Sequence, residues 1–102
     1  MNSLHERALR LAKTYLQTES ELLDVLMKLD AGRHYLGLGY ASLFEYIVKG
    51  LALGEAQASY FIRVGRKAVE VPLLKEAIRQ GELSLSQARR LVPVIEKKNA
   101  RE

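Results

Sequence analysis

The sequence predicts an all-α protein, a compact bundle of about five to six short helices that includes helix-turn-helix-like units. Apolar residues recur at spacings of three and four along most of the chain, which is the period of an amphipathic helix. Prolines are scarce, with two in 102 residues, and runs of β-branched residues are absent. This length and a hydrophobic content of 48% suffice for one modest core. We therefore expect a single helical domain over residues 1–102, with residues 97–102 as a flexible tail or a resumed helix.

The N-terminal third is predicted to form two helices separated by a break. The first is expected from about residue 4 to 16, with an apolar stripe made of Leu4, Ala8, Leu11 and Tyr15. Thr18 and Glu21 have the spacing of a capping box, so a second helix is expected to begin there and to run to about residue 29. One face of that helix carries Leu22, Val25, Leu26 and Leu29. Leu23 and Met27 lie on its flank, which predicts either a central helix buried on two sides or a self-association surface.

Glycines interrupt the helical pattern between residues 32 and 39. The interruption consists of Gly32, Gly37 and Gly39, with Tyr35, Leu36 and Leu38 as expected apolar anchors. Ser42 and Glu45 form the next capping-box pattern, which predicts a short helix that ends near Gly50. The residues expected to be buried by this helix are Leu43, Phe44 and Ile47.

The segment from about Glu55 to Glu70 is the clearest amphipathic helix of the chain. At about 100° per residue, one side carries Ala58, Phe61, Ile62, Gly65, Ala68 and Val69. The other side carries Glu55, Ser59, Arg63, Arg66, Lys67 and Glu70. Gly65 on the apolar side lowers helix stability by about 1 kcal/mol relative to alanine. We expect this glycine to compensate by letting a neighbouring helix approach closely.

Two further helices are predicted in the C-terminal third. Pro72 suits the first turn of a helix because its missing N–H is not needed there, and Gly81 suits the left-handed residue that follows such a helix. Ser84 and Gln87 form a third capping box. The helix that they begin is expected to bury Leu85, Ala88, Leu91 and Val92. Pro93 is expected to kink or end it.

Composition and residue spacing argue against an enzyme. The chain has no cysteine, and His5 and His34 lack the spacing of a zinc site. The serines fit helix caps better than nucleophiles, and the Gly-Leu-Gly at residues 37–39 does not follow a strand as a dinucleotide fingerprint would. We therefore expect no catalytic residue, no cofactor, no metal and no small-molecule substrate. Short apolar runs and the lack of a signal-peptide pattern predict a cytoplasmic protein without a membrane partner, associated with the nucleoid if it binds DNA.

Basic charge is concentrated in the C-terminal part of the chain. Residues 1–62 hold six Lys/Arg and seven Asp/Glu, whereas residues 63–102 hold ten Lys/Arg and five Asp/Glu, a net charge of +5. Such a field suits an acidic partner and makes DNA the expected one. The candidate nucleic-acid contacts are Gln57, Ser59, Tyr60, Arg63, Arg66 and Lys67, followed by Arg89 and Arg90. The Arg63–Lys67 face is expected to be the stronger contact region.

Two helix–turn–helix units frame these residues, although their fit to the standard pattern is imperfect. With Gly50 as the turn glycine, Glu45, Lys49 and Ser59 occupy positions that should be apolar. The alternative is a helical bundle with solvated polar faces that acts as a protein-interaction or dimerisation module without nucleic-acid binding. The first helix's stripe and the flank of the second helix would then form the interface. A homodimer is compatible with either function.

A set of short motifs links most of the chain to a known family. The positions are Gly39, Tyr40, Ser42, Leu43, Phe44, Glu45, Tyr46, Leu53, Gly54, Glu55, Pro72, Gly81, Leu83, Ser84 and Leu85, with "ESELLDVLMKLD" upstream. Together they resemble the helical N-terminal domain of a group of bacterial HNH endonuclease proteins, over about Leu16 to Asn99. "GELSLSQARRL" is also similar to helix starts of partition-type DNA-binding proteins.

What the resemblance implies is DNA binding or DNA docking without catalysis. In that family the nuclease chemistry belongs to a C-terminal His-Asn-His ββα-metal module, and this sequence contains no such module. No catalytic residue of that module therefore has a counterpart in this sequence. The resemblance implies either a stand-alone relative or a part of a longer protein. The final "KKNARE" favours the second, because in the family similar sequence continues into another helix.

Overall fold

The computed structural model describes the backbone of residues 3–100 and the side chains of residues 3–96, and this part of the chain contains helices and no strand. The helices are α1 (Ser3–Ala31), α2 (His34–Gly37), α3 (Leu43–Glu45), α4 (Glu55–Glu70), α5 (Pro72–Arg79) and α6 (Leu85–Ala100). A π-helical turn, Tyr46–Gly50, continues α3. The predicted all-α fold class is confirmed. Residues 97–100 of the predicted tail continue α6, and its last two residues lie outside the described range.

The central helix of the bundle is α4, which packs against α1, α3, α5 and α6. Its buried residues are Ala58, Phe61, Val64, Gly65 and Ala68. The other elements contribute Leu23, Leu26, Leu43, Ile47, Leu74, Ile78, Leu85, Ala88 and Val92 to the same core. Each large aliphatic or aromatic side chain buried in this way stabilises the fold by about 1.5–3 kcal/mol. The predicted limits of α4, Glu55 and Glu70, are confirmed.

In the N-terminal third, α1 is one helix of 29 residues, so the predicted break near residue 18 is wrong. Thr18 and Glu21 lie in the helix interior, where the backbone N–H groups bond to carbonyls four residues earlier. No proline or glycine interrupts this stretch, and continuing the helix is therefore favoured over starting a new one with a side-chain cap. Only the second half of α1 packs on the core, because Leu23 and Leu26 are buried whereas residues 3–15 are all exposed.

Gly65 lies at a close approach between α4 and α1. A Cβ atom built on this glycine would lie 2.5 Å from Cε of Met27 and 3.0 Å from a methyl group of Leu23. Both distances are shorter than ordinary carbon–carbon contacts, so a larger residue would have to displace the ends of these two side chains of α1. The predicted close approach of a neighbouring helix at this glycine is thus confirmed, and side chains of α1 make it.

Local capping chemistry agrees with the sequence at three helix ends. Ser42 Oγ accepts a hydrogen bond of 3.0 Å from the N–H of Glu45 at the start of α3, which is one half of the predicted capping box. The Glu45 carboxylate lies 3.8 Å from Nζ of Lys49 instead of completing the box. Before α6, the N–H of Gln87 donates to Ser84 Oγ over 3.1 Å, and the N–H of Ser84 donates to Gln87 Oε1 over 2.9 Å. Gly81 has φ of +79° after α5, the left-handed conformation that glycine adopts without strain.

Several apolar residues expected to face the core are exposed instead. They are Leu36, Leu38, Phe44, Val69 and Leu91. The first three belong to short or irregular segments, since α2 has four residues and α3 has three, and so short an element buries few side chains. Val69 and Leu91 lie at the edges of the buried faces of α4 and α6. Pro93 does not end α6, which continues through it to Ala100.

Candidate nucleic-acid interface

The basic residues predicted on α4 lie along a narrow exposed strip, because four other helices cover the rest of α4. Ser59, Arg63 and Arg66 are exposed. Tyr60 is half-buried, and the side chain of Lys67 is only 13% exposed. The strip itself therefore offers two accessible guanidinium groups and one hydroxyl group.

Arg66 is bound to Asp30 of α1 through two parallel hydrogen bonds. Its Nε donates to Oδ2 and its Nη2 donates to Oδ1, each over 3.1 Å. The hydrogen bond to Asp30 raises the pKa of Arg66 above its ordinary value, because it favours the charged guanidinium. This two-bond geometry is the one that arginine uses to hold a phosphate, so Asp30 occupies the groups that such a ligand would need.

Two further carboxylates neutralise the rest of this face. Lys67 Nζ lies 2.9 Å from Oε2 of Glu70 and 4.0 Å from Oε2 of Glu96. Arg63 Nη2 donates to Oε1 of Glu96 over 3.3 Å. The Arg63–Lys67 face, which the sequence ranks first, thus carries its own counter-charges in the folded chain.

A second basic region lies between α4 and α6. It is an open groove of about 410 Å³ lined by Ser59, Tyr60, Arg63, Arg89, Arg90 and Pro93, which we call the α4–α6 groove. All of its lining residues except the proline are predicted contact residues, and none of these described lining residues is acidic. The fold thereby brings Arg63 together with Arg89 and Arg90, which lie on a different helix.

Arg89 stacks on Tyr60 in this groove. Its Cζ lies 4.2 Å from the centroid of the Tyr60 ring, a cation–π contact. The Nε atom of Arg89 is buried and has no hydrogen-bond partner among the described residues. This nitrogen therefore does not face the open groove, although Arg89 as a residue lines it.

Arg90 is exposed on the same stretch of α6. Within residues 3–96, none of the ion pairs involves Arg89 or Arg90. The two arginines lie about 100° apart around the helix, yet both line the α4–α6 groove. The groove therefore holds less intramolecular counter-charge than the Arg63–Lys67 face.

Gln57, predicted as a base contact, is engaged at the N-terminus of α4. Its Oε1 accepts a hydrogen bond of 3.1 Å from the N–H of Gly54. The side chain lines a mainly apolar groove that also contains Tyr15 and Leu53, and it does not line the α4–α6 groove. The structure thus separates Gln57 from the basic groups with which the sequence grouped it.

The carboxylates that pair with the arginines of α4 were not predicted from the sequence. Asp30 and Glu96 lie 36 and 33 residues from their arginine partners, so no local pattern reports these pairs. The Lys67–Glu70 pair, in contrast, has the i,i+3 spacing of neighbours on one helix and could have been predicted.

Comparison with known proteins does not place the chain in a family. No family model matches it, and no curated protein or solved structure gives a significant match. The resemblance to the N-terminal domains of HNH endonuclease proteins therefore stays a prediction.

Two further observations concern the described residues alone. Among them, no group of three or more His, Asp or Glu residues is arranged so that it could hold a metal ion. Over the same part of the chain, every helix lacks the combination of length and apolar character that crossing a bilayer requires.

Proposed function

We propose that this chain is a non-catalytic helical module that docks on the phosphate backbone of duplex DNA through the α4–α6 groove. The observation that carries the proposal is the meeting of Arg63, Arg89 and Arg90 in one open groove whose described lining contains no carboxylate. Guanidinium groups bind phosphate oxygens through two parallel hydrogen bonds, which makes arginine well suited to this recognition.

Two hydroxyl groups extend the set of donors in the groove. Ser59 and Tyr60 both line it, and either hydroxyl can donate to a phosphate oxygen. The ring of Tyr60 also orients Arg89, which reduces the side-chain entropy lost when the guanidinium binds. A phosphate in the groove would thus meet donors that are partly pre-oriented.

Arg63 is the groove arginine that has a carboxylate partner in the described part of the chain. Its side chain and that of Glu96 are 56% and 48% exposed, respectively. An exposed pair of this kind contributes about 0–1 kcal/mol, so a phosphate can replace Glu96 at little cost. We therefore include Arg63 among the proposed phosphate contacts and rank Arg66 and Lys67 below it.

The N-terminus of α4 favours backbone docking over base reading. A recognition helix enters the major groove with the residues of its N-terminal part, and the exposed first turn of α4 begins with Glu55, whose charge a duplex would repel. Gln57 on its first turns is engaged with Gly54. Phosphate contacts fix the position of a protein on a duplex and carry little sequence information, so we propose binding with weak sequence preference.

DNA is the proposed partner, and the proposed location is the cytoplasm with association to the nucleoid. The role fits the resemblance to the N-terminal domains of HNH endonuclease proteins, in which catalysis belongs to a separate module. We assign no catalytic residue to the chain.

Fluorescence anisotropy with a labelled duplex at low and moderate salt tests the proposal. The variant Arg89→Ala/Arg90→Ala is expected to weaken binding by about tenfold or more and to flatten the salt dependence, because fewer counterions are released. Lys75→Ala/Arg79→Ala on α5 is the matched control, since it removes the same charge from residues that line a different cavity. Its affinity should stay within about threefold of wild type.

Two outcomes would contradict DNA docking through this groove. One is the absence of binding at tens of micromolar protein in low salt. The other is an equal loss of affinity in the groove variant and in the α5 control, which would show that only the net charge of the chain matters.

A further inference from the structure

We propose that α1 associates with α1 of a second copy of this chain as an antiparallel two-stranded coiled coil. The surface lies on α1 alone and includes none of the residues that line the α4–α6 groove. Self-association is thus an interaction additional to DNA docking, and each can hold or fail without the other.

A row of residues with coiled-coil spacing, apolar at every position except Thr18, runs along α1. It consists of Leu4, Ala8, Leu11, Tyr15, Thr18, Leu22, Val25 and Leu29, and we call it the α1 seam. Its members alternate at spacings of four and three, which are the a and d positions of a heptad repeat. Leu4, Leu11 and Tyr15 are 75%, 65% and 61% exposed, and Val25 is 50% exposed. Contiguous exposed apolar surface of this kind marks an interaction site.

The first half of the α1 seam has no cover within the described chain. Residues 3–15 are all exposed, so about three and a half turns of α1 extend past the core with their apolar side uncovered. In the second half, Leu22 and Leu29 are partly buried against the core, whereas Val25 remains open. A partner would therefore contact mainly the N-terminal half of the seam and the start of the second half.

The two halves of α1 carry opposite net charge, and this favours a second α1 in antiparallel orientation as the partner. Residues 3–17 hold three basic residues and one acidic residue, a net charge of +2, whereas residues 18–31 hold four acidic and one basic, a net charge of −3. Asp30 is bound to Arg66, Asp24 pairs with Lys28, and Glu19 accepts a hydrogen bond from the N–H of Leu85. Glu21 is exposed and has no ion-pair partner among the described residues, so it is the carboxylate that a second copy can reach most directly. A second α1 in antiparallel orientation places each positive half beside a negative half, whereas a parallel one would pair like charges.

One antiparallel register pairs the residues of the α1 seam in layers and also places opposite charges beside each other. Its layers are Leu4 with Leu22 of the second copy, Ala8 with Thr18 and Leu11 with Tyr15, each occurring twice by two-fold symmetry. In this register Arg7, on the flank of the seam, faces Glu21 of the second copy, and the same pair recurs at the other end. A contact of this length buries on the order of 1,000 Å² in total, the lower range for specific interfaces.

An anionic membrane surface is the competing occupant for a helix with this pattern. Arg7, Arg10 and Lys13 on the polar side of the first half would suit it. Glu21 and Asp24 are exposed further along the same helix and would be repelled by anionic lipid. A second copy of α1 matches both the basic and the acidic half, so we commit to self-association.

Sedimentation equilibrium on the full chain tests the association. Wild type is expected to form a dimer of twice the 11.5 kDa chain mass. Leu11→Asp should weaken the dimer by at least about tenfold, because it places a charge in a central layer of the seam. Leu9→Asp is the matched control, since Leu9 is 58% exposed on the same helix and lies outside the seam. Circular dichroism verifies that both variants fold.

A chain that stays monomeric at several hundred micromolar would overturn the proposal, and so would equal effects of Leu11→Asp and Leu9→Asp. Co-sedimentation with phosphatidylglycerol/phosphatidylcholine vesicles completes this test. Vesicle binding without a dimer in solution would assign the α1 seam to a membrane and reject self-association.

Charge exchange tests the antiparallel orientation. Arg7→Glu and Glu21→Arg are each expected to weaken the dimer by about threefold to tenfold, because each places like charges opposite one another. The double variant restores the opposite-charge pairs and should recover wild-type association. Lys13→Glu, which changes a charge on the side of α1 away from the seam, is the control and should leave the dimer unchanged. Failure of the double variant to recover association rejects the pairing of Arg7 with Glu21.

Disulfide cross-linking tests the register, and the absence of native cysteine makes it unambiguous. Ala8→Cys and Thr18→Cys face each other in the proposed dimer, so a mixture of the two variants should form a mixed disulfide under mild oxidation. Each variant alone should cross-link poorly, because its two cysteines lie in different layers. Efficient cross-linking of Ala8→Cys with itself would indicate a parallel coil and overturn the proposed arrangement.

Discussion

The guanidinium of Arg89 lies on the ring of Tyr60, with Cζ 4.2 Å from the ring centroid, and this stack joins α6 to the central helix α4. The contact contributes about 0.5–2 kcal/mol. The Nε atom of the same side chain is buried and has no hydrogen-bond partner among the described residues. The Tyr60 ring, rather than a hydrogen bond from Nε, therefore orients this guanidinium in the α4–α6 groove.

Replacing Tyr60 by leucine is expected to lower the free energy of unfolding by about 1 kcal/mol, because the ring under Arg89 is lost. DNA affinity should fall as well, since Arg89 loses its orientation in the groove. Tyr60→Phe is the control, because it keeps the ring and should keep both stability and most of the affinity. Urea unfolding and fluorescence anisotropy measure the two effects. If the phenylalanine and leucine variants lose affinity equally, the stack has no part in binding.

The helix limits and caps of the C-terminal two-thirds could be predicted because they depend on residues close in sequence. Gly81 at a left-handed position and Ser84 with Gln87 at a helix start are local signals, and each has the predicted geometry. The role of Gly65 could be predicted because a glycine in the middle of an apolar helix face is typical of a close approach between two helices. In each case the signal lies within about one helical turn of the residue concerned.

The continuity of α1 could have been predicted, whereas the neutralised face of α4 could not. The Thr18–Glu21 pattern is compatible with a helix start and with a helix interior, and the absence of proline and glycine from residues 3–31 favours the interior. The pair of Arg66 with Asp30 depends on how α1 lies against α4, which no local pattern encodes. As a result, the sequence ranked the basic surfaces in an order that the ion pairs of the fold do not favour.

Asp30→Asn is expected to weaken the fold slightly and to strengthen DNA binding. The side chains of Arg66 and Asp30 are 59% and 20% exposed, so solvent screening limits the loss of stability to about 1 kcal/mol or less. The freed guanidinium adds positive potential beside the groove, which should raise affinity most clearly at low salt.

Urea unfolding and anisotropy at two salt concentrations measure both effects of Asp30→Asn. Asp24→Asn is the matched control, because it removes the same charge from α1 and its ion-pair partner, Lys28, lies on the same helix. The control should change DNA affinity less than Asp30→Asn does. A drop in affinity for Asp30→Asn would contradict the idea that Asp30 competes with phosphate for Arg66.

Gly65→Ala is expected to destabilise the protein by about 1 kcal/mol. Helix propensity alone favours alanine by about 1 kcal/mol. The added Cβ would lie 2.5 Å from Cε of Met27 and 3.0 Å from Leu23, and such overpacking costs about 1–3 kcal/mol. Thermal and urea unfolding measure the difference. On a Met27→Ala background the same substitution should cost less by more than about 0.5 kcal/mol. A rise in Tm of the single variant would contradict the prediction and show that the Met27 side chain moves aside freely.

Ser84→Ala is expected to lower the free energy of unfolding by about 1 kcal/mol while leaving DNA affinity unchanged. The loss follows from removing one half of the reciprocal cap with Gln87 at the start of α6. Affinity should persist because the N–H of Leu85 also donates to Oε1 of Glu19 over 2.7 Å, which ties the start of α6 to α1. Ser86→Ala, an exposed hydroxyl in the same turn, is the control for urea unfolding and anisotropy. An equal loss of stability in both serine variants would contradict the cap, and a loss of affinity in Ser84→Ala alone would show that the cap positions the groove arginines.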